Sequence, residues 1–424
     1  MRRILFALML LPTLVLSAQS LDRCKELARE HYPLVQKYGL IEQSRDYTVA
    51  NASKAWLPQV MLSGQATYQS DVMRWPEEFE SMLAMQGLDM PGLRKDQYKV
   101  QVDVQQTLWD GGKSRAERVM ADGEAQQARM SVEVELYAVD KRVEELYFGT
   151  LLLQEQQRQL EDMTHRLQGS LNYMNTLVEN GVTMQADADA VEVQLLSTGQ
   201  RLLQVKAQMS SFRRMLQLFI GEPLSDDMLS LPEVEAPIGQ ESARPELALF
   251  DAQMRVLQAK EGLIDVSLMP RVSLFAQGYY GYPGLNMFEN MMSSRWSLNG
   301  IAGIRLQWNI GGLYTSRTSR LQLHNAMEGI DLQRDIFTFN NRLMAEKETA
   351  EIARLRTTLT DDDRIVMLRT RVREAAEVRL QEGVIDTNDL LGKITDESAA
   401  KIAHSTHEIE LMRAIYELKY TLNR

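Results

Sequence analysis

The chain has 424 residues, 44% of them hydrophobic, which is enough for two or three domains. Its 47 basic and 58 acidic side chains give a net charge of −11 with no basic stripe, which disfavours nucleic acid as a partner. The single cysteine, Cys24, excludes an internal disulfide framework.

Residues 1–18 read as a secretory signal peptide. Arg2 and Arg3 form its charged start, Ile4 to Leu16 its apolar core, and Leu16-Ser17-Ala18 a cleavage site. Removing them leaves 45 basic against 58 acidic residues, a net charge of −13. No later stretch approaches twenty uninterrupted apolar residues, so no transmembrane helix is expected in the mature chain. Cys24 follows Asp22-Arg23, not the small residues of a lipoprotein cleavage site. It reads as a half-buried helix cysteine, with a lipid anchor as the alternative.

Leu21 to about Lys54 has helical spacing, with Pro33 as a kink. Trp56-Leu57-Pro58 stops it, and the period changes to two. Val60, Leu62, Gly64, Ala66 and Tyr68 alternate with Gln59, Met61, Ser63, Gln65 and Thr67, predicting a strand over 59–72. A second strand, 97–109, alternates Tyr98, Val100, Val102 and Val104 with Lys99, Gln101, Asp103 and Gln105. Between them a short helix is expected around Glu77 to Met85. Gly111-Gly112 then lead into a long helix, 113–180. It carries a heptad of Val132, Val139, Leu146, Leu153, Leu160, Leu167 and Met174, which demands a seam against partner helices. Asn180-Gly181 ends it, and a helix over 187–219 follows.

From Arg244 the programme repeats. Helix, Pro270, strands at about 271–282 and 297–310, Gly311-Gly312, a long helix 313–381, Glu382-Gly383 and a helix 389–422 come in the same order. This predicts an internal two-fold repeat: residues 19–220, a linker at 221–243, and residues 244–424. Pro58 and Pro270 end helices before strands, and the two Gly-Gly pairs allow each strand to bend into its helix.

Four strands with one apolar and one polar face have the pattern of a membrane barrel, and Tyr68, Tyr98, Trp109, Tyr280, Tyr282, Trp296 and Trp308 fall near strand ends as interface aromatics. Four strands cannot close a barrel, and an open edge cannot sit in lipid. Closure requires two chains, giving eight strands, or three, giving twelve.

The ordered set of helix, Pro, strand, loop, strand, Gly-Gly and long helix, with the two helical turns, resembles the TolC family of trimeric outer-membrane efflux channels over nearly the whole mature chain. The second turn reads Arg379-Leu380-x-x-Gly383-Val384-x-x-x-x-Asp389-Leu390-Leu391, similar to the family's periplasmic tip motif. The first reads Gly181-Val182-x-x-x-x-Asp187, with Leu177 where the second has Arg379. The resemblance implies an α+β membrane protein: a homotrimer with a 12-stranded barrel, four strands per protomer, continuous with a long helical coiled-coil barrel in the periplasm. It also implies an outer-membrane exit duct without catalytic activity. Its implied partners are outer-membrane lipid, a periplasmic adaptor (membrane fusion) protein, and an inner-membrane transporter of the RND or ABC type. The exit duct of a type I protein secretion system is an alternative within this architecture, and a coiled-coil envelope scaffold without a pore is one outside it.

In the family the turns close the channel and dock the adaptor. Asp187, Asp189, Asp386 and Asp389 would then form acidic rings, and Arg379 would be a tip-closing ion-pair partner or a solvated helix charge. The bland reading is that Asp187 and Asp389 cap helices. Where the family often has a second acid, this chain has Gly392, so the inner ring is weaker or supplied by Asp386. No catalytic constellation, cofactor motif or phosphate loop is present: Thr107 replaces the glycine that a loop ending at Gly112-Lys113-Ser114 would need. His404 and His407 share a helix face but lack a third ligand, so no metal site is expected. Met82, Met85, Met90, Met287, Met291 and Met292 in the strand loops read as flexible apolar packing, with soft-metal binding as the alternative.

Overall fold

The structure is a computed structural model and describes residues 20–87, 92–224, 229–237, 239 and 241–424. The expected signal peptide and Met90 lie outside these residues. The helices are α1 (Leu21–His31), α2 (Gln36–Lys54), α3 (Glu77–Met85), α4 (Lys113–Glu179), α5 (Gln185–Ile220), α6 (Pro245–Ser267), α7 (Met287–Met292), α8 (Gly312–Gln381) and α9 (Thr387–Leu422). The strands are β1 (Gln59–Tyr68), β2 (Asp96–Trp109), β3 (Arg271–Tyr282) and β4 (Ser297–Gln307). They fall into two compact units: a helical one (residues up to 38, 130–249 and 332–424) and a sheet-bearing one (39–129 and 250–331). None of the described helices is long and apolar enough to cross a membrane.

Pro33 breaks the first helix instead of kinking it. Tyr32 takes an extended conformation before the proline, a short 3-10 turn spans Pro33–Val35, and the helix restarts at Gln36. In the helical unit α1, α4, α5 and α9 meet around Cys24, Val143, Tyr147, Leu216, Ile220 and Tyr416. Cys24 is fully buried there, not half-buried, and burial pushes its thiol up to about 11. A lipid on that sulfur would have to fit inside a close-packed core, so the anchor alternative is set aside. The linker packs back onto the same core: Tyr147 donates to the Ser230 carbonyl at 2.8 Å, and Gln154 to that of Leu229 at 3.2 Å.

The heptad of α4 forms the seam. Six of its seven members are buried and Leu146 is half-buried. Leu153 and Leu160 pack on Val205 of α5, and Met174 on Ala188 and Val191. Charged pairs flank it: Arg29 binds Asp140 (2.6 Å) and Glu133 (2.8 Å), and Lys25 pairs with the buried Glu144. α8 and α9 close a second seam around Ile352, Leu355, Leu411, Ile415 and Leu418.

The sheet has the order β1-β2-β3-β4, antiparallel throughout. Register carries the alternation across all four strands. Leu62, Val102, Gly278 and Gly300 form one row, and Gly64, Val100, Tyr280 and Leu298 the next. No described residue covers this face: Leu62 is 71% and Leu298 81% exposed. Tyr98, Tyr280 and Trp296 cluster at its loop end, and Trp109 and Trp308 stand exposed at its helix end. The opposite face carries Ser63, Gln101 and Asn299 in one row and Gln65, Lys99 and Ser297 in another, interrupted by Met61, Phe275 and Ile301.

Three further expectations change, all in the sheet. β1 ends at Tyr68, not 72, because the Asp71 carboxylate accepts from the Val72 amide and turns the chain. β4 ends at Gln307, not 310, because its partner β3 begins only at Arg271, after Pro270. Tyr282 is not an interface aromatic. Its ring is buried with Leu93 and Met291, and its hydroxyl accepts from the Arg94 amide (2.9 Å) and donates to the Asn290 carbonyl (3.3 Å).

Candidate gate at the paired helical turns

Both helical turns are built by the same backbone device. Gly181 and Gly383 have φ of +72° and +74°, a region that favours glycine. Val182 N–H donates to the Leu177 carbonyl (2.9 Å) and Gly181 N–H to that of Val178 (2.9 Å). Val384 donates to Arg379 (2.8 Å) and Gly383 to Leu380 (3.0 Å) in the same pattern. Each is a Schellman motif, which satisfies the last carbonyls of a helix and reverses the chain.

The turns lie against each other within the helical unit. Leu380 packs against Met174, Ala188 and Val191 on one side, as do Leu177 and Val178, and against Ala376, Leu390 and Ile394 on the other. The buried Thr387 hydroxyl points at Met174 Sδ, 3.3 Å away. The sequence-selected acids then divide by role. α5 starts at Gln185, two residues before the expected 187, because the half-buried Asp187 serves at the third helical position. Its carboxylate accepts from the Met184 amide (3.3 Å) and the Thr183 hydroxyl. Asp386 is the N-cap of α9 and accepts from the Asp389 amide at 2.8 Å, so the capping role belongs to Asp386, not Asp389. Asp189 accepts from Gln185 at 2.8 Å. Asp389 and Arg379 are exposed, and among the described residues neither side chain forms an ion pair.

A charged cluster behind the second turn escapes sequence reading. Glu397 is 2% exposed and receives Arg373 (2.7 Å), Lys401 (2.9 Å) and Thr370 (2.9 Å), with Arg166 of α4 at 3.8 Å. Burial pushes the Glu397 carboxyl up, but the Lys401 and Thr370 hydrogen bonds and the Arg373 charge outweigh it and hold it below its ordinary value. Arg373 also binds Glu377 at 2.6 Å. The only signal in sequence is mirror placement: Arg373 and Glu397 stand twelve residues before and after Ile385. Arg369–Asp396 adds a third α8–α9 link at 2.5 Å.

The histidines do not share a ligand. His407 pairs with Asp362 (2.6 Å) and His404 with Asp363 (3.0 Å), and among the described residues no group of three or more metal-binding side chains occurs.

The two strand–helix junctions differ. Gly111 and Gly112 have φ of +69° and +93°, and a Cβ on Gly111 would lie 2.7 Å from Met269 Cβ, beside Pro270. Asp110, not singled out from sequence, caps α4 by accepting from the Gly112 (2.9 Å) and Ser114 (2.7 Å) amides. Gly311 and Gly312 need no positive φ. Asn309 makes the bend instead, its Oδ1 accepting from Gly312 at 3.2 Å. Pro58 and Pro270 each stand immediately before a strand.

Known proteins place this architecture. Residues 26–222 match the family model of outer membrane efflux proteins. Comparison with the curated proteins finds no relative. Among solved structures, the outer membrane protein VceC from Vibrio cholerae is similar with a TM-score of 0.65 and 15% identity, over 95% of each chain. The Campylobacter jejuni CmeC outer membrane channel is similar at 0.65 and 13%, over 95% of this chain and 85% of that one. The open-state MtrE outer membrane channel of Neisseria gonorrhoeae gives 0.64 and 13%, over 95% and 89%. Residues 26–222 are thus similar to the outer membrane efflux proteins, and over nearly its whole length the chain has the fold of these outer-membrane channels.

Proposed function

We propose that three copies of this chain form a passive exit duct for small molecules, its twelve strands closing a barrel in the outer membrane and its helices lining a periplasmic tunnel. The observation that carries this reading is the four-stranded sheet with a bare apolar face and two unpaired edges. In lipid, the apolar face is at home and the edges are not, so neighbouring copies must supply the missing ladder hydrogen bonds. The aromatic bands at both ends of that face match the two interfaces of a bilayer. The family consists of non-enzymatic pore proteins. Drive therefore comes from elsewhere: an inner-membrane transporter of the RND or ABC type, coupled through a periplasmic adaptor.

The paired turns are the gate in this reading. Arg379 and Asp389, exposed and without an ion-pair partner among the described residues, would pair across copies and hold the tip shut. The purified protein should run as a heat-modifiable trimer, partition with outer membranes and conduct weakly in planar bilayers. Arg379→Ala or Asp389→Ala should raise single-channel conductance. A monomer that neither inserts nor conducts would remove the duct reading. A trimer whose conductance and cation selectivity ignore both substitutions would remove the gate.

A further inference from the structure

The loop end of the sheet holds a built cavity that the gate does not use. After β3 the chain folds back over the polar face. Leu285 N–H donates to Asn299 Oδ1 of β4 at 2.7 Å. Gly284 rests directly on the Ser297 hydroxyl and the Asn299 amide of β4, leaving no room for a Cβ unless those side chains move. Under this lip is a pocket of about 430 Å³ whose floor is the polar face of β1, β2 and β3.

The floor has a preset polarity. Asp103 accepts from Gln101 Nε2 (2.6 Å and 2.7 Å to its two oxygens) and from Gln277 Nε2 (2.6 Å). Both amide nitrogens are committed to a carboxylate, so both carbonyl oxygens remain as acceptors. Gln65 and Gln97 add further amides, Tyr279 an aromatic ring, and Lys99 the one charged side chain of the lining. The floor thus offers amide donors and acceptors together, one cation and the Tyr279 ring. An apolar ligand would strip water from five polar groups without replacement, and a cationic one would face Lys99. A ligand dense in hydroxyls, each of which both donates and accepts, with a C–H face to lay on the ring, matches.

We propose that this pocket binds a polyhydroxylated ligand, an oligosaccharide, with Lys99 selecting acidic sugars. Its placement in the lumen rests on the duct reading, but the binding chemistry does not. The sugar could come from the external surface or ride on outbound cargo.

The test uses the full chain in detergent, titrated with maltohexaose and trigalacturonate and followed by calorimetry. Both should bind saturably, trigalacturonate more tightly. Tyr279→Ala should weaken both about tenfold or more, while Tyr279→Phe, which keeps the ring and the fold, retains binding. Lys99→Gln should abolish the preference for trigalacturonate and leave maltohexaose unchanged. In bilayers, block by sugar added at the loop side identifies an external source, and block from the helical side an exported one. Protein that inserts and conducts but binds neither sugar would overturn the pocket and leave the duct intact. Binding without any conductance would keep the pocket and overturn the duct.

Discussion

Glu397 and Glu144 are both buried carboxylates with basic partners, and burial raises both, yet their net shifts are opposite. Glu144 is raised by desolvation that Lys25 does not offset, whereas Glu397, with Lys401, Thr370 and Arg373 around it, is held low. A carboxyl held low in the folded state contributes stability that is complete above its unfolded value and is lost as pH falls through the folded one. The α8–α9 hairpin should therefore keep its exchange protection down to about pH 4 and lose it below, when followed by hydrogen exchange at residues 390–400. Glu144 moves stability the other way, so a bulk melting curve would blend the two and only site-resolved exchange separates them. Glu397→Gln should lower the protection of the hairpin at neutral pH, because Arg373 keeps Glu377 and Glu374 on its own helix but loses its ionic link across to α9. Protection unchanged in that variant would mean that the Arg373–Glu397 link across the hairpin adds nothing to the bonds Arg373 already makes on α8. The glycine pairs make a second contrast at this scale. Gly111→Ala adds a left-handed alanine and a clash with Met269, and should cost roughly 1–2 kcal/mol or more in thermal unfolding. Gly311→Ala meets nothing nearer than 3.7 Å and needs no unusual φ, so its melting should match the parent.

Elements were legible where one physical rule acted alone. The heptad from Val132 to Met174 predicts a buried stripe because seven-residue spacing permits no other partner surface, and that stripe is buried. Leu167, fully buried, should cost roughly 2–5 kcal/mol on truncation to alanine, and half-buried Leu146 clearly less, in paired chemical denaturation. Alternation likewise places all four strands. It fails at their ends, where a second rule competes: Asp71 bonds its neighbour's amide, and Trp308 has no strand opposite it, so alternation runs on while pairing stops. Gly-Gly reads the same at both junctions because composition does not reveal φ. Asp110 and Asn309, the side chains that make the two bends differently, decide which pair is indispensable. At the candidate gate the turns were legible from Gly-to-Asp spacing. The Arg373–Glu397 pair was not, since hairpin register brings together residues with no local relation.

At the scale of the molecule, one chain is incomplete in two respects. Its sheet has free hydrogen-bonding edges on β1 and β4, and its apolar face exposes rows of Val, Leu, Ile and Tyr that no described element covers. An open, exposed, hydrophobic sheet invites uncontrolled edge pairing in water, so such a surface persists only if assembly and lipid remove it. The two faces can be separated by a matched pair of substitutions one row apart in side. Val102 lies near the middle of β2, opposite Leu62, on the apolar face; Ser63, opposite Gln101, lies on the polar one. A lysine facing lipid near the bilayer centre costs roughly 2–4 kcal/mol, and a closed trimer would bear that cost three times. Val102→Lys should accordingly abolish the heat-modifiable trimer in outer-membrane fractions. Ser63→Lys, whose ammonium would sit in a water-filled lumen, should leave trimer yield intact and lower cation selectivity in bilayers. Equal yields for the two variants would show that the apolar face does not meet lipid, and a twelve-stranded barrel would then be the wrong closure for this sheet.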